Sequence, residues 1–166
     1  MSAPDNPASK PKKLSRSQAR LAAVQALYQM DLAQTDLSDV IEEFKEHRFG
    51  GDAGGEEDAG REAHPQHFAT ILKGVVKHQR AIDPMIDEQL AEGWRLVRID
   101  SIVRAILRAG TFELRDMPDV PARVVISEYV EVAKAFFEGD EPRLVNGVLD
   151  ALARKLRPGQ LAERGS

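Results

Sequence analysis

The chain contains no cysteine among its 166 residues. Disulfide bonds, thiolate zinc sites and a cysteine nucleophile are therefore excluded, and an intracellular protein is favoured. No apolar run approaches the roughly 20 residues that a membrane-spanning helix requires, and the N-terminus lacks the apolar stretch of a secretory signal. We therefore predict a cytoplasmic protein that does not associate with a membrane.

Recognisable motifs of catalysis and cofactor binding are missing as well. The sequence has no dinucleotide-binding fingerprint, no phosphate-loop lysine, no calcium loop and no nucleophile elbow. Its four histidines are His47, His64, His67 and His78. The spacing of His64 and His67 could hold a metal on a helix, but Pro65 between them favours solvated loop histidines. The sequence predicts a protein without enzyme activity, cofactor or metal.

The charged residues are distributed unevenly along the chain, whose net charge is -4 at pH 7. Residues 1–30 carry five bases and one acid, a net charge of +4, so the remaining residues carry -8. Phosphate attraction depends on the nearby field more than on the total charge. The asymmetry is therefore compatible with a nucleic-acid contact at the N-terminus, and equally with a solubilising tail.

The spacing of apolar residues predicts an all-α chain with about seven helices around one core, since no alternating strand pattern occurs. Three prolines and small polar residues mark residues 1–13 as a flexible basic arm. Ser15 is a good N-cap for a first helix that reaches about Gln34. A second helix is expected to follow Asp36.

The later helices are marked by apolar periodicity and by proline. A third helix carries the apolar residues from Phe68 to Val76, and Asp83 followed by Pro84 predicts the N-cap and first turn of a fourth. The remaining helices are expected over about 100–116, 124–137 and 140–156. The globular body should cover residues 14–158, with a flexible tail over 159–166.

Between the second and third predicted helices, residues 48–66 form an acidic, glycine-rich insertion. Residues 50–60 contain five glycines and four acids, with almost nothing that could be buried. A phosphate-binding loop needs a lysine at a helix start, whereas the field here is anionic. We predict a disordered loop that faces away from any nucleic-acid surface.

Three stretches of the sequence together resemble one known family. They are ARLAAVQALYQMDLAQ at positions 19–34, WRLVRIDSIVRAILRAGTFEL at 94–114, and VPARVVISEYVEVAKAFFEGDEPRLVNGVLDALARKLRP at 120–158. The last is the most specific, because generic helix periodicity does not produce ISEYVEVAKAF together with LVNGVLD. These stretches resemble the NusB family of bacterial transcription antitermination factors.

The resemblance implies an all-α fold of two packed three-helix halves, without catalysis or a cofactor. It implies binding to the single-stranded boxA segment of ribosomal RNA leader transcripts as a heterodimer with the ribosomal protein NusE. In that role the protein is part of an antitermination complex that helps RNA polymerase to resist termination. The free protein is expected to be a monomer or a weak homodimer.

Several basic residues match positions through which the family contacts RNA. The resemblance implies phosphate contacts by Arg16 and Arg20, which lie one helical turn apart and are expected to project together. The two residues between them are not arginines here, where other members often have more. Lys12 and Lys13 are therefore expected to share the phosphate contacts.

Other candidate RNA-binding residues each have a plainer alternative. Tyr28 matches a family tyrosine that could stack on an unpaired base, or it is a core residue beside Leu27. Arg104 and Arg108 extend the basic surface, or they form an ordinary solvated stripe. Asp140 is implicated in RNA function by the resemblance, or it only caps the last helix.

The resemblance also points to a partner contact on the last helix. Leu144 takes the position of an aromatic residue that contacts NusE in some relatives, so it is either a partner anchor or a core residue. Asn146 and Gly147 of the VNG motif are expected to serve close helix packing.

Two other interpretations of the whole chain stay open. One is a detached RNA-targeting domain like that fused to ribosomal RNA cytosine methyltransferases, which would need a separate catalytic chain. The other is a purely protein-binding helical module whose basic arm is only a tail. Binding of a boxA-type RNA with and without NusE distinguishes these interpretations.

Overall fold

A computed structural model describes residues 15–34, 36–47, 63–91 and 95–161. In these ranges the chain is all-α, without a strand, and has six α-helices and one short 3-10 helix. The α-helices are α1 (Arg16–Ala33), α2 (Leu37–His47), α3 (Ala63–Gln89), α4 (Ser101–Asp116), α5 (Ala122–Phe136) and α6 (Glu141–Leu156), and the 3-10 helix is Leu96–Arg98. The all-α prediction is confirmed for these ranges, whereas the predicted count of seven helices is not confirmed by the six α-helices they contain.

Parts of the predicted arm, insertion and tail can be compared with the structure. The arm, residues 48–62 of the insertion and residues 162–166 of the tail lie outside the described residues. The last residues of the predicted insertion, 63–66, belong to α3. At the start of the predicted tail, Gln160 accepts a hydrogen bond from the Ala122 amide and Leu161 packs against the core. The body therefore extends to at least residue 161.

Both ends of α1 are specified by local sequence. Ser15 Oγ accepts a hydrogen bond from the Gln18 amide at 3.0 Å, and the Gln18 side chain accepts one from the Ser15 amide at 2.7 Å. This reciprocal capping satisfies two amides that a helix start leaves without partners. At the other end Gln34 has a left-handed φ of 55° and its amide donates to the Met30 carbonyl. The predicted limits of the first helix are confirmed.

One long helix, α3, replaces the two helices that the sequence predicts before and after Asp83. Proline removes a backbone donor and usually ends or kinks a helix, yet Pro84 lies inside α3. Ile82 and Ile86 on either side of it are fully buried, so packing against the core holds both halves in one helix. Asp83 lies inside α3 and therefore does not cap a helix. Its carboxylate pairs instead with Arg108 of α4.

The central helix of the molecule is α4. It packs against α1, α3, α5 and α6, and its residues 103, 105–107 and 109–114 are buried. The Asp100 side chain caps the helix by accepting hydrogen bonds from the amides of Ile102 and Val103. This burial explains the strong apolar periodicity of the segment. No helix in the described ranges is long and apolar enough to cross a bilayer.

Two glycines allow other side chains to approach closely at the α3–α4 and α4–α6 contacts. A Cβ at Gly74 would lie 2.1 Å from the Phe112 ring, and one at Gly110 would lie 2.9 Å from the Leu149 side chain. Neither position accepts a larger residue without a shift of its neighbour. By contrast, Gly147 has no atom within 4 Å of such a Cβ, and Asn146 is also exposed. The prediction that these two residues serve helix packing is wrong.

A buried arginine connects the end of α6 to the end of α4. Arg157 is 7% exposed. Its guanidinium donates hydrogen bonds to the carbonyls of Glu113, Leu114, Met117 and Val120. Leu114 lies in the last turn of α4, where carbonyls lose their intrahelical partners, and the guanidinium supplies one. The charge of Arg157 therefore serves the fold and is not available to a ligand.

Candidate nucleic-acid interface

The start of α1 presents a cation with no acid beside it in the sequence. Arg16 is exposed, and the first turn of α1 contains no acidic residue. A helix N-terminus also carries partial positive charge, which attracts phosphate. The structure thus places Arg16 where it could meet an RNA backbone. Lys12 and Lys13 lie outside the described residues.

Arg20 is placed differently from the expectation. It is 3% exposed, and its guanidinium donates two hydrogen bonds to Glu113, of 2.7 and 3.0 Å. A carboxylate oxygen of Glu128 lies 3.4 Å from another nitrogen of the same guanidinium. The expectation that Arg16 and Arg20 project together is wrong, because α1 turns Arg20 towards α4 and α5. A guanidinium held by two carboxylates is not available to phosphate.

Glu113 is the centre of this buried cluster, and sequence reasoning missed it. Its carboxylate also accepts a hydrogen bond from the Tyr129 hydroxyl, and His67 Nε2 lies 3.7 Å away. Burial raises the pKa of Glu113, but the interactions with His67, Arg20 and Tyr129 outweigh burial and lower the pKa to about 2. Burial raises the pKa of Tyr129 well above its usual range, so the hydroxyl stays a donor.

The sequence contained one signal for the cluster. Glu113 follows Gly110 by three residues and Ile106 by seven, so it falls on the apolar face of α4. A carboxylate on such a face needs a partner. The prediction that His67 is a solvated loop histidine is also wrong. It is 6% exposed, because α3 begins before it and turns it inward.

Tyr28 lines an open groove with a volume of about 450 Å³. The lining residues come from α1, α2, α4 and α5, and they are Val24, Gln25, Tyr28, Gln29, Leu32, Ala33, Phe44, Ile102 and Phe136. Leu32 is 60% exposed at this groove. Tyr28 itself is half-buried, so it is not a full core residue. A half-buried aromatic ring in an apolar groove suits base stacking.

Arg104 and Arg108 of α4 are both held by carboxylates of neighbouring helices. Arg104 donates a 2.7 Å hydrogen bond to Asp31 of α1. Arg108 donates two hydrogen bonds of 2.9 Å to Asp83 of α3. The two arginine side chains are only 15% and 12% exposed. Both therefore lie at helix interfaces, and the alternative of an ordinary solvated stripe is wrong.

Two candidates near the start of α6 are exposed. Leu144 is 38% exposed, which rules out the core alternative and leaves it accessible to a partner. Asp140 occupies the N-cap position, but its side chain makes no capping hydrogen bond. The expected capping role of Asp140 is therefore wrong, and its exposed carboxylate is accessible to a ligand. Among the described residues, no three histidine or carboxylate side chains lie close enough together to hold a metal ion.

The fold and these surfaces define a class of protein: a helical binding protein whose candidate interface is a cationic helix start with an apolar groove. The NusB family model matches residues 17–154. A transcription antitermination protein NusB from Bartonella henselae is 54% identical over 142 residues, which cover 86% of this chain and 89% of that relative. The chain belongs to the NusB family.

Solved structures have the same fold. NusB of T. maritima superimposes with a TM-score of 0.73 at 29% identity, covering 87% of this chain and 94% of that one. A chain from a complex of the antitermination factors NusB and NusE with double-stranded RNA has a TM-score of 0.70 at 24% identity, covering 84% of this chain and 96% of that one. At that level of identity the second match supports the fold alone.

Proposed function

We propose that this chain is a transcription antitermination factor that binds boxA-type single-stranded RNA of ribosomal RNA leader transcripts together with NusE. In the cytoplasm it would join an antitermination complex and help RNA polymerase to resist termination. The observation that carries the proposal is the 54% identity to a transcription antitermination protein. The match covers 89% of that relative.

The proposed RNA surface joins the start of α1 to the groove around Tyr28. Arg16 supplies an exposed positive charge, and Lys12 and Lys13 precede it in the sequence. Tyr28 lies twelve residues further along the same helix, or about 18 Å along its axis. Phosphates would meet the cations while an unpaired base stacks in the groove. Arg20 is not part of this surface, since it holds α1 against α4 and α5.

Three further residues stay in the proposal on the resemblance alone. Asp140 is exposed and could accept hydrogen bonds from base amino groups. Arg104 and Arg108 would have to leave their aspartate partners to meet phosphate. We therefore expect these two arginines to contribute less to RNA affinity than Arg16.

The proposed NusE contact includes Leu144, whose exposure leaves an apolar side chain in solvent.

We also propose that the fold consists of two three-helix halves, α1 to α3 and α4 to α6. In support, α1, α2 and α3 contact one another, and so do α4, α5 and α6. The extensive packing of α4 against α1 and α3 would hold the two halves together.

The main test measures binding of a boxA-type RNA by fluorescence anisotropy, alone and with NusE, over a salt series. If about four phosphates are neutralised, log affinity should fall with log salt with a slope of about -2.8. Replacing Lys12, Lys13 and Arg16 by glutamine removes up to three contacts and should flatten the slope by about 2. If the unmodified protein with NusE shows no preference for boxA-type RNA over an unrelated RNA, the proposed function is wrong.

A matched control separates a local contact from a general effect of net charge. The control protein, called the α5–α6 variant, has Arg123, Lys134 and Lys155 replaced by glutamine; all three are exposed. It loses the same number of positive charges and should keep the wild-type slope. Equal flattening in this variant would show that affinity follows net charge and not the start of α1.

A pair of variants tests the stacking role of Tyr28. Stacking of one base on an aromatic ring is worth about 1–3 kcal/mol, so Tyr28→Ala should weaken RNA binding by roughly 5- to 150-fold. Tyr28→Phe keeps the ring and should bind as the wild type does. Circular dichroism checks that both variants fold. Equal affinities of the alanine and phenylalanine variants would exclude the stacking role.

A further inference from the structure

The outward face of α3 carries a row of basic side chains that the proposed RNA surface does not use. Lys73, Lys77 and Arg80 are exposed, and Val76 between them is 41% exposed. The three cations are spaced by four and three residues, so they lie within about 60° of one another around the helix and span about 10 Å. We call Lys73, Val76, Lys77 and Arg80 the α3 stripe.

The cations of the α3 stripe differ from most arginines of α4 and α6 in having no acidic partner within the described ranges. Arg108 and Arg154 each have an aspartate oxygen within 2.9 Å. In the part of the chain that the structure describes, no carboxylate oxygen lies within 4.0 Å of the three stripe cations. Among the described residues, no ion pair therefore neutralises these three charges.

The distribution of acids in the sequence leaves the α3 stripe without acidic residues close by along the chain. Although the chain has 27 acids, two stretches of 20 or more residues contain none, residues 6–30 and residues 63–82. The first stretch includes the start of α1, and the second includes the α3 stripe. The next acid, Asp83, pairs with Arg108 of α4. The stripe therefore keeps its positive field in a protein that is acidic overall.

The α3 stripe lies on a helix that packs beside α1, which carries the proposed RNA surface. Arg20, one turn into α1, and His67, one turn into α3, both contact Glu113. The two helices therefore begin side by side, and they pack against each other. Lys73 follows His67 by six residues, or about 9 Å along the axis of α3. A strand bound at the start of α1 thus has the stripe on an adjacent helix.

We propose that the α3 stripe is a second contact surface for the phosphate backbone of RNA, used by nucleotides that flank the segment bound at α1. The proposal rests on the proposed function, because the bound transcript supplies the flanking strand. A row of unpaired cations suits a polyanion whose charges follow one another along a chain, and each phosphate contact releases counterions. The stripe adds affinity without reading sequence, since phosphates are the same at every nucleotide.

The test compares two RNAs with the wild-type protein, the α5–α6 variant and an α3 variant, in which Lys73, Lys77 and Arg80 are replaced by glutamine. One RNA is a short boxA-type oligonucleotide, and the other is the same RNA extended at both ends by uridines. With the extended RNA, the slope of log affinity against log salt should be about 2 units flatter for the α3 variant than for the wild type. Wild-type affinity should then fall about 16-fold further than that of the variant between 50 and 200 mM salt.

The short RNA and the α5–α6 variant should show no such change, and circular dichroism should be the same for all three proteins. If the wild type prefers boxA-type RNA but the α3 variant keeps the wild-type slope with the extended RNA, the second contact is wrong and the proposed function stands. Equal flattening in the α5–α6 variant also overturns the second contact. If the wild type shows no preference for boxA-type RNA, the proposed function itself fails.

Discussion

Positively charged side chains occur in two contrasting places. They are buried and paired in the cluster around Glu113, and they are exposed in the α3 stripe. Arg20 is 3% exposed and is held by Glu113, whereas Lys73 and Lys77 are exposed and have no carboxylate partner among the described residues. A buried charge is strongly unfavourable unless it is paired, while an exposed charge stays hydrated without a partner. Burial therefore decides whether a cation serves the fold or is available to a ligand.

The largest expected effect comes from breaking the buried cluster. Glu113→Ala leaves the Arg20 guanidinium without its main partner and should lower the free energy of unfolding by about 3–5 kcal/mol. Urea denaturation followed by circular dichroism measures this change. The control is Glu128→Gln, whose carboxylate is 28% exposed and should cost less than about 1 kcal/mol. If both variants lost a similar, small amount of unfolding free energy, the proposed difference between buried and exposed charge pairs would be wrong.

The pH dependence of stability should report the same cluster. The pKa of Glu113 is lowered from 4.5 to about 2 in the folded protein, so folding favours the ionised carboxylate. The stability that Glu113 contributes is complete above pH 4.5 and is lost as the pH falls from 4.5 towards 2. The difference corresponds to roughly 3 kcal/mol.

Other carboxylates titrate in the same range, so the measurement compares the wild type with Glu113→Gln. Urea denaturation between pH 6 and pH 2 gives the two stability profiles. The wild type should lose more stability on acidification than the glutamine variant, which has no proton to bind at this position. Parallel profiles would show that Glu113 does not carry the effect.

Two glycine-to-alanine substitutions compare an interior position with a surface position without changing any charge. Gly74→Ala places a methyl group against the Phe112 ring and should destabilise the protein by about 1–3 kcal/mol. Gly147→Ala lies inside α6 with no atom in contact and should stabilise it by roughly 0.5–1 kcal/mol. Thermal denaturation checks both, and effects of the same sign would contradict the packing assigned to Gly74.

The smallest effect on stability is expected at Leu144. Because the side chain is 38% exposed, Leu144→Asp should change the free energy of unfolding by no more than about 0.5 kcal/mol. A charge in an apolar protein contact should nevertheless weaken NusE association about tenfold or more. Titration calorimetry with NusE measures the binding, and circular dichroism the fold. Loss of the helical signal would contradict the small effect on stability that we expect from the exposure of Leu144.

Much of the fold could be predicted because helix signals are local. The capping box at Ser15 and Gln18 and the apolar periodicity of α4 depend on residues a few positions apart. The same local rules fail at Pro84, which continues a helix because Ile82 and Ile86 are buried against other elements. Burial by a distant part of the chain overrides the local preference there.

The candidate site was predicted less well than the fold. The resemblance to the family predicted Arg16, Tyr28 and Leu144 as binding residues, and all three are accessible in the structure. It also predicted Arg20 as an RNA-binding residue, but Arg20 is buried. The helix spacing of Arg20 is the same whether its side chain meets water or a carboxylate, so periodicity could not separate these cases.

The sequence by itself determined the helical class, most helix limits and the family, because these follow from residues close together along the chain. Only the tertiary structure decided which charges are paired. Arg20 and Glu113 are 93 positions apart, and Arg104 and Asp31 are 73 apart. Coulombic attraction and desolvation depend on distance in space and on solvent exposure. Neither quantity can be derived from the local spacing of residues.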